Sequence, residues 1–459
     1  MTTSFRTSVR ATVAGAALAC LALRPALASA ASNDPHAHTS ARIASAPDTA
    51  ITTKFDVDGI PVILRRNTAN EVIAANLYIL GGARQLTPAN AGIEALLFLA
   101  SERGTRRFPG AMVRQRTATL GSTISIEAND DWSAIGLHAI RDTFDSTWAI
   151  LADRVMAPTL APPEVEIARQ QLIAGARQRS TQPDDAATEL ADSLLYVQHP
   201  YAISATGTPT SLAAITVPQL RAYHDQQIVT SRMLLVVVGN VDRAEVEQLV
   251  RGTIAKLPRG SYKWTPPPPV TTTGRALAID NRQLPTNYVL GYVPGPAATT
   301  RDYDALRVAT AVLSGRLFTE VRSRRNLSYA VESPFVERAN AVAGLYVTTV
   351  DPNAVLRIMR NELSTLQTET VDPEGLKRLV QQFITEYFLK NETNADQANV
   401  LARAEVFEGD YRAADRFMAD LQKITPEDVR RAARAYLKDF RFAYVGDASK
   451  LDRSLLAQF

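Results

Sequence analysis

Arg322 and Tyr329, seven residues apart, are side chains of types that can donate hydrogen bonds to a carbonyl oxygen. A guanidinium fork and a phenol both donate hydrogen bonds to a peptide oxygen. They donate more strongly to the oxyanion that such an oxygen becomes during acyl transfer. On spacing alone the plainer reading is the favoured one, with Arg322, Arg324 and Arg325 as a solvated helix end beside its own dipole and Tyr329 as a strand-core aromatic. Other reactive groups are few. The five histidines are His36, His38, His138, His199 and His224, and no pair among them has the i, i+4 spacing of a helical metal site. His36 and His38 could hold a metal loosely but read as part of a disordered leader. His138 reads as a strand residue, His224 as a helix residue and His199, before Pro200, as a loop cap. Cys20 is the only cysteine, and no serine triad is recognisable.

The elements that must position these groups belong to an ordinary globular chain of 459 residues, 46% hydrophobic and 21% charged. Arg6, Arg10 and Arg24 account for the formal net charge of +3, so the remainder is balanced and gives no ground for nucleic acid binding. Those arginines flank an apolar stretch from Ala11 to Leu23, followed by the small-residue site Ala28-Ser29-Ala30. The pattern is that of a signal peptide over residues 1–30, implying export to a periplasm. A mitochondrial transit peptide and a lipoprotein anchored at Cys20 are the weaker alternatives. Cleavage after Ala30 leaves a chain without thiols. The stretch is too short to span a membrane, and no other run approaches the ~20 apolar residues needed.

After a flexible leader at 31–50, Phe55 to Leu64 reads as a hairpin about Asp58-Gly59, and Ala74 to Leu80 as a strand ended by Gly81-Gly82. An apolar helix from about Asn90 follows, then a strand region from Ser122 to Ile140 and a long helix from Pro162 to Arg179. Thr216 caps a helix that leads to the buried strand Met233 to Gly239. Lys263 to Gly274 contains Pro266-Pro267-Pro268-Pro269, an extended spacer. Beyond it the pattern returns. Ile424-Thr425-Pro426 repeats Ile215-Thr216, Phe442 to Gly446 repeats the strand ending at Gly239, and Pro373-Glu374 echoes Pro163-Glu164. A repeat of about 200 residues implies a duplicated domain. The expected fold is α+β, two homologous domains each with a mixed or antiparallel sheet packed with helices. The domains are 51–258 and 275–459, joined by the linker 259–274.

The order of these signals resembles the insulinase-like (pitrilysin) zinc peptidases, in particular the branch of the mitochondrial processing peptidase and its bacterial relatives. The resemblance rests on the Asp-Gly hairpin, Gly82-Ala83-Arg84, the Gly92…Gly104-Thr105 helix, His199-Pro200-Tyr201 with Gly207, the Ile215-Thr216 helix and the Gly239 strand. In the second half it rests on Gly315-Arg316-Leu317-Phe318 running into Leu327-Ser328-Tyr329. That family binds zinc through an inverted His-x-x-Glu-His motif on its first helix. Laid on this chain, the resemblance puts Ala95 and Leu99 at the histidine positions and Phe98 at the general base. The third ligand would fall at about Ala174 or Gly175. None of these can coordinate a metal, so no metal is expected in this chain, and zinc is expected in a partner subunit. Taken alone, Ala95, Leu96, Leu99 and Ala100 read as a core helix.

The resemblance further implies that Arg322 and Tyr329 reach the carbonyl beside the scissile bond. The expectation is therefore a metal-free subunit of a heterodimeric zinc peptidase that orients peptides for a zinc-binding homologous partner. Ser122 to Glu127 is a possible edge strand for peptide addition. The alternative is a pseudopeptidase serving only as a peptide-binding or assembly protein of the cell envelope. One departure is plain: Ala311 to Gly315 has a single glycine where the non-catalytic mitochondrial subunit has a glycine-rich loop, which speaks against a presequence-handling role.

Overall fold

The computed structural model describes residues 52–459 apart from Thr272. The signal peptide, the leader, Cys20, His36 and His38 lie outside the described residues. Six strands form the first sheet: Thr52–Val57 (β1), Ile60–Arg66 (β2), Val72–Leu80 (β3), Thr123–Ala128 (β4), Trp132–Ile140 (β5) and Met233–Gly239 (β6). Six form the second: Ala276–Asn281 (β7), Asn287–Ala297 (β8), Val331–Glu332 (β9), Phe335–Val336 (β10), Asn340–Thr349 (β11) and Arg441–Gly446 (β12). The orders are β1-β2-β6-β3-β5-β4 and β10-β11-β8-β12-β7, with β9 also on β11.

The duplication is visible in the pairing. β2 and β6 run parallel, as do β7 and β12. β6 then pairs antiparallel with β3 and β3 with β5, as β12 does with β8 and β8 with β11. Both β6 and β12 end on glycines of matching conformation, Gly239 at φ 151° and Gly446 at φ 153°. The helix before each of these strands opens with the same capping box. Thr216 and Gln219 satisfy each other's backbone N–H groups, and Thr425 and Asp428 do the same. The expected α+β class with two sheets is what the chain adopts.

One face of each sheet carries the large core of its own half. The other faces are covered by exchange. The Asn394–Glu408 helix, from the second half of the sequence, lies on the outer face of the first sheet. There Ala398, Leu401 and Ala402 meet Ile63, Tyr78, Trp132 and Val236. Its Asn399 accepts hydrogen bonds from Asn76 Nδ2 at 3.0 Å and from the Tyr78 hydroxyl at 2.7 Å. Conversely, the Pro183–Leu195 helix packs Ala187, Ala191 and Leu195 on Leu290, Tyr292, Ala443 and Val445 of the second sheet. The alanines let each helix approach a sheet closely. The reason for both contacts lies in β6 (Met-Leu-Leu-Val-Val-Val-Gly) and β12: strands apolar on both faces need both faces covered. Residues 259–274 do separate the strands of the two sheets along the sequence, but the helices cross that boundary. The proline spacer is extended and pinned, with the Pro268 carbonyl accepting from His199 and from Asn340.

A polar cluster sits where the halves meet. Arg338, just before β11, lies 3.1 Å from Asp130 and 3.9 Å from Asp192, over the ring of Tyr196 at 4.9 Å. Asp131 accepts from Arg84 at 3.0 Å and from the Tyr201 hydroxyl at 2.7 Å. Burial raises the Asp130 carboxyl to about 6, against the pull of Arg338 and with the help of Asp131 and Asp192. A carboxyl whose folded pKa lies above its unfolded value of 3.8 contributes stability that is complete below the unfolded value and lost as pH rises through about 6. The Asp130→Asn variant is therefore expected to lack that component. Melting temperatures of both proteins between pH 4 and pH 7 should show the wild type losing ground to the variant as pH rises. Parallel curves would contradict this.

Candidate functional site

The first helix, Ile93–Ser101, begins later than the sequence pattern suggests, because Gly92 is its N-cap in the left-handed region at φ 84°. A Cβ there would meet Gly207 Cα at 2.6 Å, so the helix enters against the Gly207 turn. The side chains of Ala95, Leu96, Leu97 and Phe98 are buried, and Leu99 is partly so. The helix's last carbonyls are held from inside: Arg154 donates to the Phe98 carbonyl and to Ser101 Oγ, each at 3.2 Å.

The Pro162–Thr181 helix packs beside it, carrying exposed Ala174 and half-buried Gly175. The positions that the resemblance assigns to two imidazoles, a general base and a third carboxylate hold a methyl, an isobutyl, a phenyl and a hydrogen. This set does not fit zinc. Glu94, one residue before Ala95, is the nearest carboxylate on this helix, and it is engaged. Arg232 lies 3.0 Å away, Ser133 Oγ donates at 2.6 Å and the Tyr223 hydroxyl at 3.1 Å. Sequence reasoning passed over this network, whose members lie on four separate elements.

Of the three histidines within the described residues, two make hydrogen bonds that hold local structure. His199 caps a short turn by accepting from Tyr201 N at 3.1 Å, while its other nitrogen faces the Pro268 carbonyl at 2.9 Å. His224 faces the Val155 carbonyl at 2.9 Å, and His138 lies in β5.

The second half brings Arg322 and Tyr329 together. The Arg301–Leu317 helix runs into a π-helical turn, Phe318–Ser323, in which Arg324 N reaches back five residues to Thr319 O at 2.9 Å. Such turns are rare and gather at functional sites. Val321 is fully buried and anchors the turn, while Arg322 beside it is half-buried. Asn326, at φ 51°, reverses the chain. Ser328 then points inward, donating to the carbonyls of Ala330 and Thr348, so the next residue, Tyr329, points out. Tyr329 is 82% exposed.

The Arg322 guanidinium carbon sits 4.5 Å from the Tyr329 ring centroid and 5.0 Å from that of Phe318. Its neighbours Arg324 and Arg325 are both paired with Glu320, whose carboxyl their hydrogen bonds and charges hold below its usual range. Among the described residues Arg322 forms no such ion pair. Tyr329 is thus exposed and not a core aromatic, while Arg324 and Arg325 are largely solvated and share Glu320.

At the other end of the site's fold, β4 is the outermost strand of the first sheet, next to the Ile93–Ser101 helix. Its residues alternate between exposed and half-buried. No helix among the described residues is long and apolar enough to cross a membrane.

Two duplicated α+β halves with an apolar first helix define a fold in which no group of side chains among the described residues is set to hold a metal ion. Residues 214–383 match the family described as the peptidase M16 inactive domain, a segment that includes Arg322 and Tyr329. The chain is similar to proteins named zinc proteases and to a mitochondrial complex subunit. It is 25% identical over 397 residues to an uncharacterized zinc protease of Mycobacterium leprae, covering 83% of this chain and 87% of that protein. It is 22% identical over 445 residues to the mitochondrial cytochrome b-c1 complex subunit 1 of Caenorhabditis elegans, 93% of each chain. The solved peptidase M16 inactive domain from Pseudomonas fluorescens has the same fold, with a TM-score of 0.78 at 20% identity, covering 87% of this chain and 98% of that one.

Proposed function

We propose that this chain is the metal-free subunit of a two-chain zinc peptidase in a bacterial periplasm. A homologous partner carries the zinc and the His-x-x-Glu-His motif, and this chain grips the peptide. The observation that carries the reading is Arg322, which lies at an exposed π-helical turn against Tyr329 and has no carboxylate partner while both neighbouring arginines have one. A guanidinium edge left unpaired there can donate to a substrate carbonyl, and the phenol of Tyr329 can donate beside it. The free edge of β4 offers a second contact, main-chain pairing with an extended peptide.

A second reading is favoured by one specific finding, the full-length similarity to a cytochrome b-c1 complex subunit. On that reading the chain is a pseudopeptidase kept for its shape within an envelope assembly. Co-expression with a zinc-binding homologue from the same genome separates the two. The first reading expects a stable complex that cleaves unfolded peptides only when both chains and zinc are present. A partner chain whose activity is the same with and without this one would support the second.

A further inference from the structure

We propose that Phe318 is a positioning residue that sets the direction of the Arg322 guanidinium; the inference rests on the reading that Arg322 grips substrate. Phe318 is 46% exposed at the start of the π-helical turn. The guanidinium carbon lies over two rings, 5.0 Å from the centroid of Phe318 and 4.5 Å from that of Tyr329. A guanidinium is planar, with weakly hydrated faces and N–H groups around its edge. A face laid against a ring would leave the edge as the part free to donate. The attraction between cation and ring, ~0.5–1 kcal/mol at an exposed site, is enough to favour one orientation of a long side chain.

Without an acidic partner, Arg322 depends on these rings for its orientation. Tyr329 must also donate its own hydroxyl to the substrate, which leaves Phe318 as the ring with no other task. The sequence offers a faint signal for this, since Phe318 and Arg322 stand four apart, the spacing of side-chain neighbours on a helix.

The test compares Phe318→Leu, which keeps apolar bulk but removes the ring, with Phe318→Tyr, which keeps the ring. In the isolated full-length chain, the 15Nε–1H resonance of Arg322 is expected to carry a ring-current shift that Phe318→Leu reduces and Phe318→Tyr retains. In the co-expressed two-chain complex, Phe318→Leu is expected to lower kcat on an unfolded peptide by about 10- to 100-fold. KM should change little, melting temperature should stay the same, and Phe318→Tyr should keep the rate. An Arg322 resonance unaffected by Phe318→Leu overturns the proposal. So does a shifted resonance with an unchanged rate. If Arg322→Ala itself leaves the rate unchanged, the reading of Arg322 as a substrate grip fails, and the NMR result still reports separately whether Phe318 holds the guanidinium.

Discussion

Replacing Arg322 by alanine in the reconstituted two-chain peptidase is expected to lower kcat by about 10²-fold or more, the usual consequence of removing one preorganised oxyanion donor. The expectation follows from geometry. The Arg322 guanidinium carbon lies over two rings and pairs with no carboxylate among the described residues, so its N–H groups are available to a carbonyl oxygen as charge develops there. Tyr329→Phe removes one hydroxyl donor and leaves the ring that stacks on Arg322, so it tests the phenol alone. Its expected loss is in kcat with the Arg322 resonance unmoved. Arg324→Ala serves as the control, because that arginine is neutralised by Glu320 and should leave turnover unchanged. Single-turnover kinetics with a fluorogenic unfolded peptide would measure all three. Equal rates for wild type and Arg322→Ala would remove the basis for a catalytic supporting role and leave the assembly reading.

The second large effect is on stability. Arg232→Ala is expected to cost about 3–5 kcal/mol, because it leaves the Glu94 carboxylate buried without its counter-charge. The Arg232 and Glu94 side chains are 1% and 2% exposed and 3.0 Å apart. Arg232 also donates to the Leu80 carbonyl at 2.7 Å and the Gln227 carbonyl at 3.1 Å. Urea denaturation would read the loss as a lowered midpoint with an unchanged slope. The double variant Glu94→Met, Arg232→Met should recover most of it, since apolar replacement of a buried pair is often neutral. A midpoint unchanged by Arg232→Ala would show that water reaches the pair. The result also bears on function: a carboxylate so fully engaged is a structural support for the first helix and not a surviving general base.

Much of this was legible in the sequence, and the reasons differ by element. Thr216 and Thr425 could be read as caps because a capping box is local, four residues that satisfy one another. The duplication was legible because a capped helix and the glycine-ended apolar strand that follows it recur together some 200 residues later. The chemistry of Ala95, Phe98 and Leu99 was legible because side chains without donor atoms need no geometry to interpret. The Pro183–Leu195 helix escaped notice, as did the crossing of that helix and Asn394–Glu408, because their partners lie about 100 to 340 residues away in sequence. One clue was present: β6 has no polar face, so something outside its own half's core had to cover the second one. The exposure of Tyr329 depends on a π-helical turn and on Ser328 turning inward, and neither has a signature in residue type.

The crossed helices also govern the order of events at the ribosome. When the last strand of the first sheet has been made, the face carrying Ile63, Tyr78 and Trp132 still awaits residues 394–414, more than 150 residues further on. Until they arrive, that half carries an uncovered apolar surface, the condition in which nascent chains aggregate or are taken up by chaperones. The exchange that makes the two halves one body thus suits a polypeptide that folds after its synthesis is complete.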